Sequence, residues 1–218
     1  MRKCYLIFVV LMVALNVKGQ IKKQSFLLGG QGYYVTEKNY TTNFKQEFKS
    51  GIISLAMGKA YKENKVIGIN FSFSPWRQVD SDSGNDTLNN FSNRFEFGTF
   101  YREYRKLAKD LYIFGQLDAS FITAKQRDNF SNAGNFTEVK TTYQGGSVSL
   151  TPGISYQLFK RMHIELSIPN IIRVQYLSAK IRSDDPLINL NKNQFLFNSS
   201  ISNATPLGNL AVGFRFIF

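Results

Sequence analysis

From Leu210 to Phe218 every second residue, Leu210, Val212, Phe214, Phe216 and Phe218, is large and apolar. A two-residue period belongs to an extended strand, whose side chains point alternately to two faces. The period recurs along the chain, most cleanly where Ile67, Ile69, Phe71 and Phe73 alternate with Gly68, Asn70, Ser72 and Ser74. Phe26 and Leu28 open a first such segment, and Ile53, Leu55, Met57 and Tyr61 mark a second. Phe95, Phe97 and Tyr101 carry a fourth, and Leu111 to Phe121 and Val148 to Leu158 a fifth and a sixth. Met162, Ile164, Leu166, Ile168, Ile172, Val174 and Tyr176 keep one parity through a seventh, and the terminal run is the eighth. No helical stripe of 3.6-residue period competes with this pattern. Eight is an allowed even number of strands for a membrane barrel. The expected fold is all-β, an eight-stranded antiparallel up-and-down transmembrane β-barrel.

The N-terminus predicts export. Arg2 and Lys3 precede an apolar run from Tyr5 to Leu15, followed by Val17-Lys18-Gly19, which is the order of a cleavable secretory signal. That run is too short to cross a hydrocarbon core as a helix, which takes roughly 20 residues. Residues 1–19 are therefore read as signal peptide and 20–218 as one barrel domain. Cleavage would remove Cys4, the one cysteine, along with three of the 27 bases and none of the 15 acids. No Cys-based metal site or disulfide is expected in the mature chain. An exported chain with a basic surplus meets anionic lipid head groups and lipopolysaccharide phosphates rather than nucleic acid.

The connections alternate in length. Short polar turns are expected near 62–65, 105–109 and 160–161, and long polar loops over 35–48, 75–92, 124–143 and 178–203. Short turns on one side and long loops on the other fit periplasmic turns and extracellular loops, with both termini periplasmic.

The set opposite the apolar one is polar or small. A soluble lipocalin-like ligand carrier would turn the apolar set inward. Small residues on the polar set, such as Gly58, Gly68 and Gly98, suit the crowded interior of an eight-stranded barrel instead. In that orientation Arg94, Glu96, Arg102, Asp118, Glu165, Arg173 and Arg215 face the lumen. A turn centred near Leu107 would put Glu96 opposite Asp118, a like-charge contact that the arginines would have to relieve. The expected result is an ion network that plugs the lumen, in place of a gated pore. Tyr61, Tyr101, Tyr156 and Phe218 are placed in the turn-side aromatic girdle, and Tyr34, Trp76 and Tyr176 in the loop-side one. Lys59, on the apolar parity, would snorkel to the turn-side interface. Pro152 and Pro169 each remove a ladder donor, which predicts a bulge or gap where strands six and seven pair.

These features together resemble the small eight-stranded outer-membrane barrels, the class of the OmpA transmembrane domain, OmpX and the opacity proteins. The resemblance spans the mature chain and lies in pattern. It implies that Phe214, Phe216 and Phe218 form the signal read by the barrel-assembly machinery, and that the protein resides in the outer membrane of a Gram-negative bacterium. Members adhere, resist host defences or stabilise the envelope.

The resemblance also admits lipid A chemistry, because some such barrels are lipid A-modifying enzymes. His163, Glu165 and Ser167 share one face of the seventh strand, and acyl chemistry uses such a trio. Asp80, Asp82, Gly84 and Asp86 depart from the spacing of a calcium loop, with Phe91 at its twelfth position. No cofactor, metal or catalytic set is expected. The sequence favours a non-enzymatic barrel whose extracellular loops meet a surface partner, with a lipid A-modifying enzyme as the alternative.

Overall fold

The computed structural model describes residues 21–41, 44–82, 87–132, 135–183, 189–199 and 210–218. The expected signal peptide lies outside them. Among the described residues ten strand segments are formed: β1 (Phe26–Thr41), β2 (Phe44–Lys62), β3 (Lys65–Asp82), β4 (Thr87–Lys106), β5 (Leu111–Asn132), β6 (Asn135–Phe159), β7 (Met162–Ser167), β8 (Ile172–Ser183), β9 (Leu190–Ser199) and β10 (Ala211–Ile217). All pairings are antiparallel. Strands β1 to β6 pair in succession, β6 pairs with β7, β7 with β10, and β10 with β1, which closes an eight-stranded ring. Above it β8 continues the line of β7 along β6, and β9 lies on β8. Among the described residues, β9 pairs with β8 alone, and β1 beyond Gly32 pairs with β2 alone.

The alternation places the apolar set outside. Leu55 is 60% exposed and Phe97 58%, whereas Arg102 is 0% and Glu165 1% exposed. The pattern is the reverse of a lipocalin's and overturns the soluble-carrier alternative. A continuous apolar outer surface of this extent far exceeds the few hundred Å² that soluble monomers tolerate, and it suits hydrocarbon. The small residues are where the interior is tightest. Gly58 and Gly68 face each other across β2 and β3, and a Cβ on Gly68 would collide with the Met57 carbonyl and come within 2.7 Å of the buried Phe100 ring.

The three short turns lie where the sequence placed them, at Glu63-Asn64, Leu107–Asp110 and Lys160-Arg161. Asn64 takes a left-handed φ of 58°, which Asn tolerates better than most residues. Its amide donates to the carbonyl of Ile21 at 3.0 Å. Ile21 is buried against Leu27, Ala60, Val66 and Tyr104, so the segment before β1 forms the floor of the barrel.

Where the structure describes them, the four long connections are strand rather than loop. The ladders run on through them, to Thr41↔Phe44, Ser81↔Thr87 and Asn132↔Asn135, and β8 and β9 occupy most of 178–203. Beyond the hydrocarbon band the outer face turns polar, at Lys49, Arg77 and Lys125 for example. The hydropathy contrast that marks a strand then disappears although hydrogen bonding continues.

Proline breaks the wall as expected. Leu150 pairs with Ile172 and Gly153 with Ser167. Ile168–Ile171 therefore oppose only Thr151 and Pro152. Ile168 donates to the Pro152 carbonyl at 3.0 Å, and Ile171 to that of Leu150 at 2.8 Å. Asn170, at φ 54°, donates its amide to Thr151 Oγ1 at 3.2 Å. Because the surplus is even, parity survives, and Leu166 and Ile172 both remain outward.

Tyr61, Tyr101, Tyr156 and Phe218 ring the turn side, with Tyr61 and Tyr101 6.4 Å apart, and Lys59 is exposed one step above Tyr61. Tyr34 and Tyr176 are outward on the loop side. Trp76 is not: it shares the inward parity of Ser72 and Ser74 and meets Phe48 edge-on at 6.0 Å. Burying a charge in lipid at mid-band is costly, so Leu55→Arg should lower folding stability in bilayers by about 2–4 kcal/mol. Lys49→Arg, above the band, should leave it unchanged in the same urea titration.

Candidate functional site in the barrel lumen

The expected lumen residues all face inward, and the structure sorts them into three tiers. Lowest, just above the floor, Glu165 on β7 receives two arginines. Arg102 Nη1 donates to its two carboxylate oxygens at 2.8 and 2.9 Å, and Arg215 Nε donates to Oε2 at 2.9 Å. Tyr104 OH donates to Oε1 at 3.1 Å, and Arg102 Nε donates to Gln116 Oε1 at 2.7 Å. The Arg102 guanidinium also lies 4.3 Å from the Phe114 ring centre. A carboxylate removed from water is tolerated where charge-assisted hydrogen bonds replace its hydration.

The middle tier is Asp118. Gln116 Nε2 donates to Oδ1 at 2.7 Å, and Asn70 Nδ2 donates to the same oxygen. No arginine forms an ion pair with it among the described residues. In the upper tier Arg94 Nε donates to Glu96 Oε1 at 2.7 Å and Arg173 Nη2 to Oε2. Arg94 Nη2 reaches Gln175 Oε1 at 2.9 Å. A cavity of about 40 Å³ remains between tiers, lined among others by Gln31, Ser54, Asn70, Glu96, Asp118 and Arg215. It holds a few waters at most. With two arginines per glutamate above and below, Asp118 sits between two cationic clusters.

The expected Glu96–Asp118 contact does not form. Glu96 pairs with Ile122, and Asp118 with Phe100. The hairpin is centred two residues beyond Leu107, because both Leu107 and Ala108 donate to the Leu111 carbonyl at 2.8 and 3.2 Å. The acids are thereby separated, and the glutamates are each shared by two arginines. Tyr104 is the member the sequence did not single out. Its signal was parity, since it follows Arg102 by two residues on the same face.

His163, Glu165 and Ser167 are all buried but not assembled for catalysis. His163 Nδ1 lies 3.0 Å from Ser155 Oγ, and Ser167 Oγ donates to Gln31 Oε1 at 3.4 Å. Glu165, engaged by both arginines, does not orient the imidazole. Phe214, Phe216 and Phe218 all point outward, and the Phe218 amide and carbonyl exchange 2.9 Å hydrogen bonds with Phe26. Asp80 accepts from Gln46 Nε2 at 3.0 Å and Gln78 Nε2 at 2.7 Å. Gly84 and Asp86 lie outside the described residues.

Removing one partner of a buried, hydrogen-bonded charge set leaves the others uncompensated. Glu165→Ala should therefore cost about 3–5 kcal/mol of folding stability in vesicles. In the Arg102→Met/Glu165→Met double variant the loss should be smaller than for Glu165→Ala alone, as read from urea midpoints.

No family model and no curated protein matches the sequence. Among solved structures, the chain is similar to the outer membrane protein OprG from Pseudomonas aeruginosa, with 11% identity and a TM-score of 0.51 over 93% of this chain and 99% of that one. It is also similar to the outer membrane protease OmpT from Escherichia coli, with 6% identity and a TM-score of 0.44 over 94% and 97% of the two chains. The former likeness is one of fold, and the latter is too distant in shape to extend it. The fold is that of a small outer-membrane β-barrel.

Proposed function

We propose that this is an integral protein of the Gram-negative outer membrane, a non-enzymatic barrel with a plugged lumen that carries a tall extracellular β-wall for contact with a surface partner. The observation that carries this reading is the inverted polarity: apolar side chains outside, and a buried, ion-paired arginine–glutamate network inside. Closure of the ladder gives the backbone internal hydrogen bonds, a precondition for residence in lipid. Phe214, Phe216 and Phe218 would present their rings to the barrel-assembly machinery, and the segment 1–19 would direct export. The floor at Ile21 and the Arg102–Glu165–Arg215 cluster argue against solute passage, so the barrel acts as a scaffold. Its extracellular wall continues beyond the band on β2 to β6, and this hydrogen-bonded wall is what a partner at the cell surface would meet.

Fractionation with unheated-versus-boiled gel migration tests the membrane assignment. Recovery in the outer-membrane fraction with a heat-dependent shift is expected, and recovery in the soluble periplasm would refute it. In planar bilayers the purified protein should show no stable conductance, whereas the Arg102→Ala/Glu165→Ala variant should flicker open. Steady conductance from the unaltered protein would refute the plug.

A further inference from the structure

The outer face above the apolar band carries a row of bases that neighbouring acids only partly neutralise. Following the ladder from strand to strand, Lys49 pairs with Arg77, Arg77 with Phe91, Phe91 with Arg127, Arg127 with Lys140, and Lys140 with Arg182. Each shares the outward parity of the large apolar residues nearer the turns on its own strand, Ile53, Phe73, Phe95, Phe121, Val148 and Tyr176. Three of these pairings, Lys49 with Arg77, Arg127 with Lys140 and Lys140 with Arg182, set like charges directly opposite, an arrangement that destabilises a sheet.

The acids nearby offset only part of the charge. Lys49 reaches Glu47 at 3.0 Å, and Arg127 and Lys140 share Glu138 at 3.4 and 2.5 Å. Arg77 has an amide partner, Asn89, at 3.0 Å. The turn-side rim is built differently. There Lys65 faces Glu103, Arg105 faces Ile113, and Lys59 faces Ile67. The facing bases Lys62 and Lys65 merely flank the turn.

We propose that this row is a docking strip for lipopolysaccharide, whose phosphates would sit between the paired bases while its acyl chains lie on the apolar wall below. The inference rests on the outer-membrane reading. Its chemistry is that of multivalent anions against bidentate arginines and point-charge lysines. A row crossing six strands, lying next to the acyl band, matches a lipid surface rather than a single soluble anion. Phosphate held between the paired bases would relieve the repulsion built into the row.

The test compares the mature protein with an Arg77→Gln/Lys140→Gln/Arg182→Gln variant, refolded in phosphatidylcholine vesicles without and with added lipopolysaccharide. Without it, the variant should be at least as stable as the parent, because like-charge contacts have been removed. With it, the parent's unfolding midpoint should rise by about 5 °C and the variant's by little. A Lys59→Gln/Arg105→Gln rim control should respond like the parent. An equal rise for parent and variant, an equal rise from phosphatidylglycerol, or an unchanged parent midpoint would each overturn the strip. Normal refolding with a heat-dependent gel shift in those same vesicles would leave the membrane reading standing, so the two failures are distinguishable.

Discussion

Closure of the hydrogen-bonded ladder is the constraint from which the remaining structure follows. In hydrocarbon an unpaired amide or carbonyl costs several kcal/mol, so a sheet that enters lipid must return on itself, as this one does through Leu27–Gly32 on β1 and Val212–Ile217 on β10. Once the ring closes at eight strands, the interior is too narrow for an aqueous channel and must be filled by side chains. The apolar half of every strand is then free to face lipid, and the polar half must find its partners within a few ångströms of the axis.

That second requirement explains the composition of the lumen. Glycines lie where Phe100 needs room, at Gly58 and Gly68. Apart from Asp118, the lumen acids sit in guanidinium–carboxylate clusters, because Arg offers several donors in a planar fork and each glutamate accepts from two of them. The Ile168–Ile171 bulge follows the same logic. Pro152 and Pro169 cannot donate, and the even surplus lets the wall bend around them without turning Leu166 or Ile172 inward.

Much of this was legible from residue order. The two-residue period identified the strands and their faces, the three tight turns, the inward charges and the proline fault. What escaped it has physical causes. The height of the wall was hidden because outward residues above the band, such as Lys49 and Arg77, are as polar as inward ones, so the period loses its contrast. The register of β4 against β5 depends on the hydrogen bonds of the Leu107–Asp110 turn, and a shift of its centre by two residues moved Asp118 from Glu96 to Phe100. Trp76 was placed by its height, and its parity decided otherwise. The match of Glu165 to Arg102 and Arg215 joins side chains far apart in sequence, and pattern alone does not select among four inward arginines.

Whether the apolar face looks outward into lipid can be tested by tryptophan quenching with brominated acyl chains. Trp76 is the one tryptophan in the chain; it points inward and lies beside Arg77 above the apolar band, so its emission should be insensitive to the bromines. A tryptophan at Phe97, placed by Phe97→Trp in a Trp76→Phe background, should be strongly quenched. A tryptophan at position 97 that the bromines leave unquenched would mean that the faces are reversed.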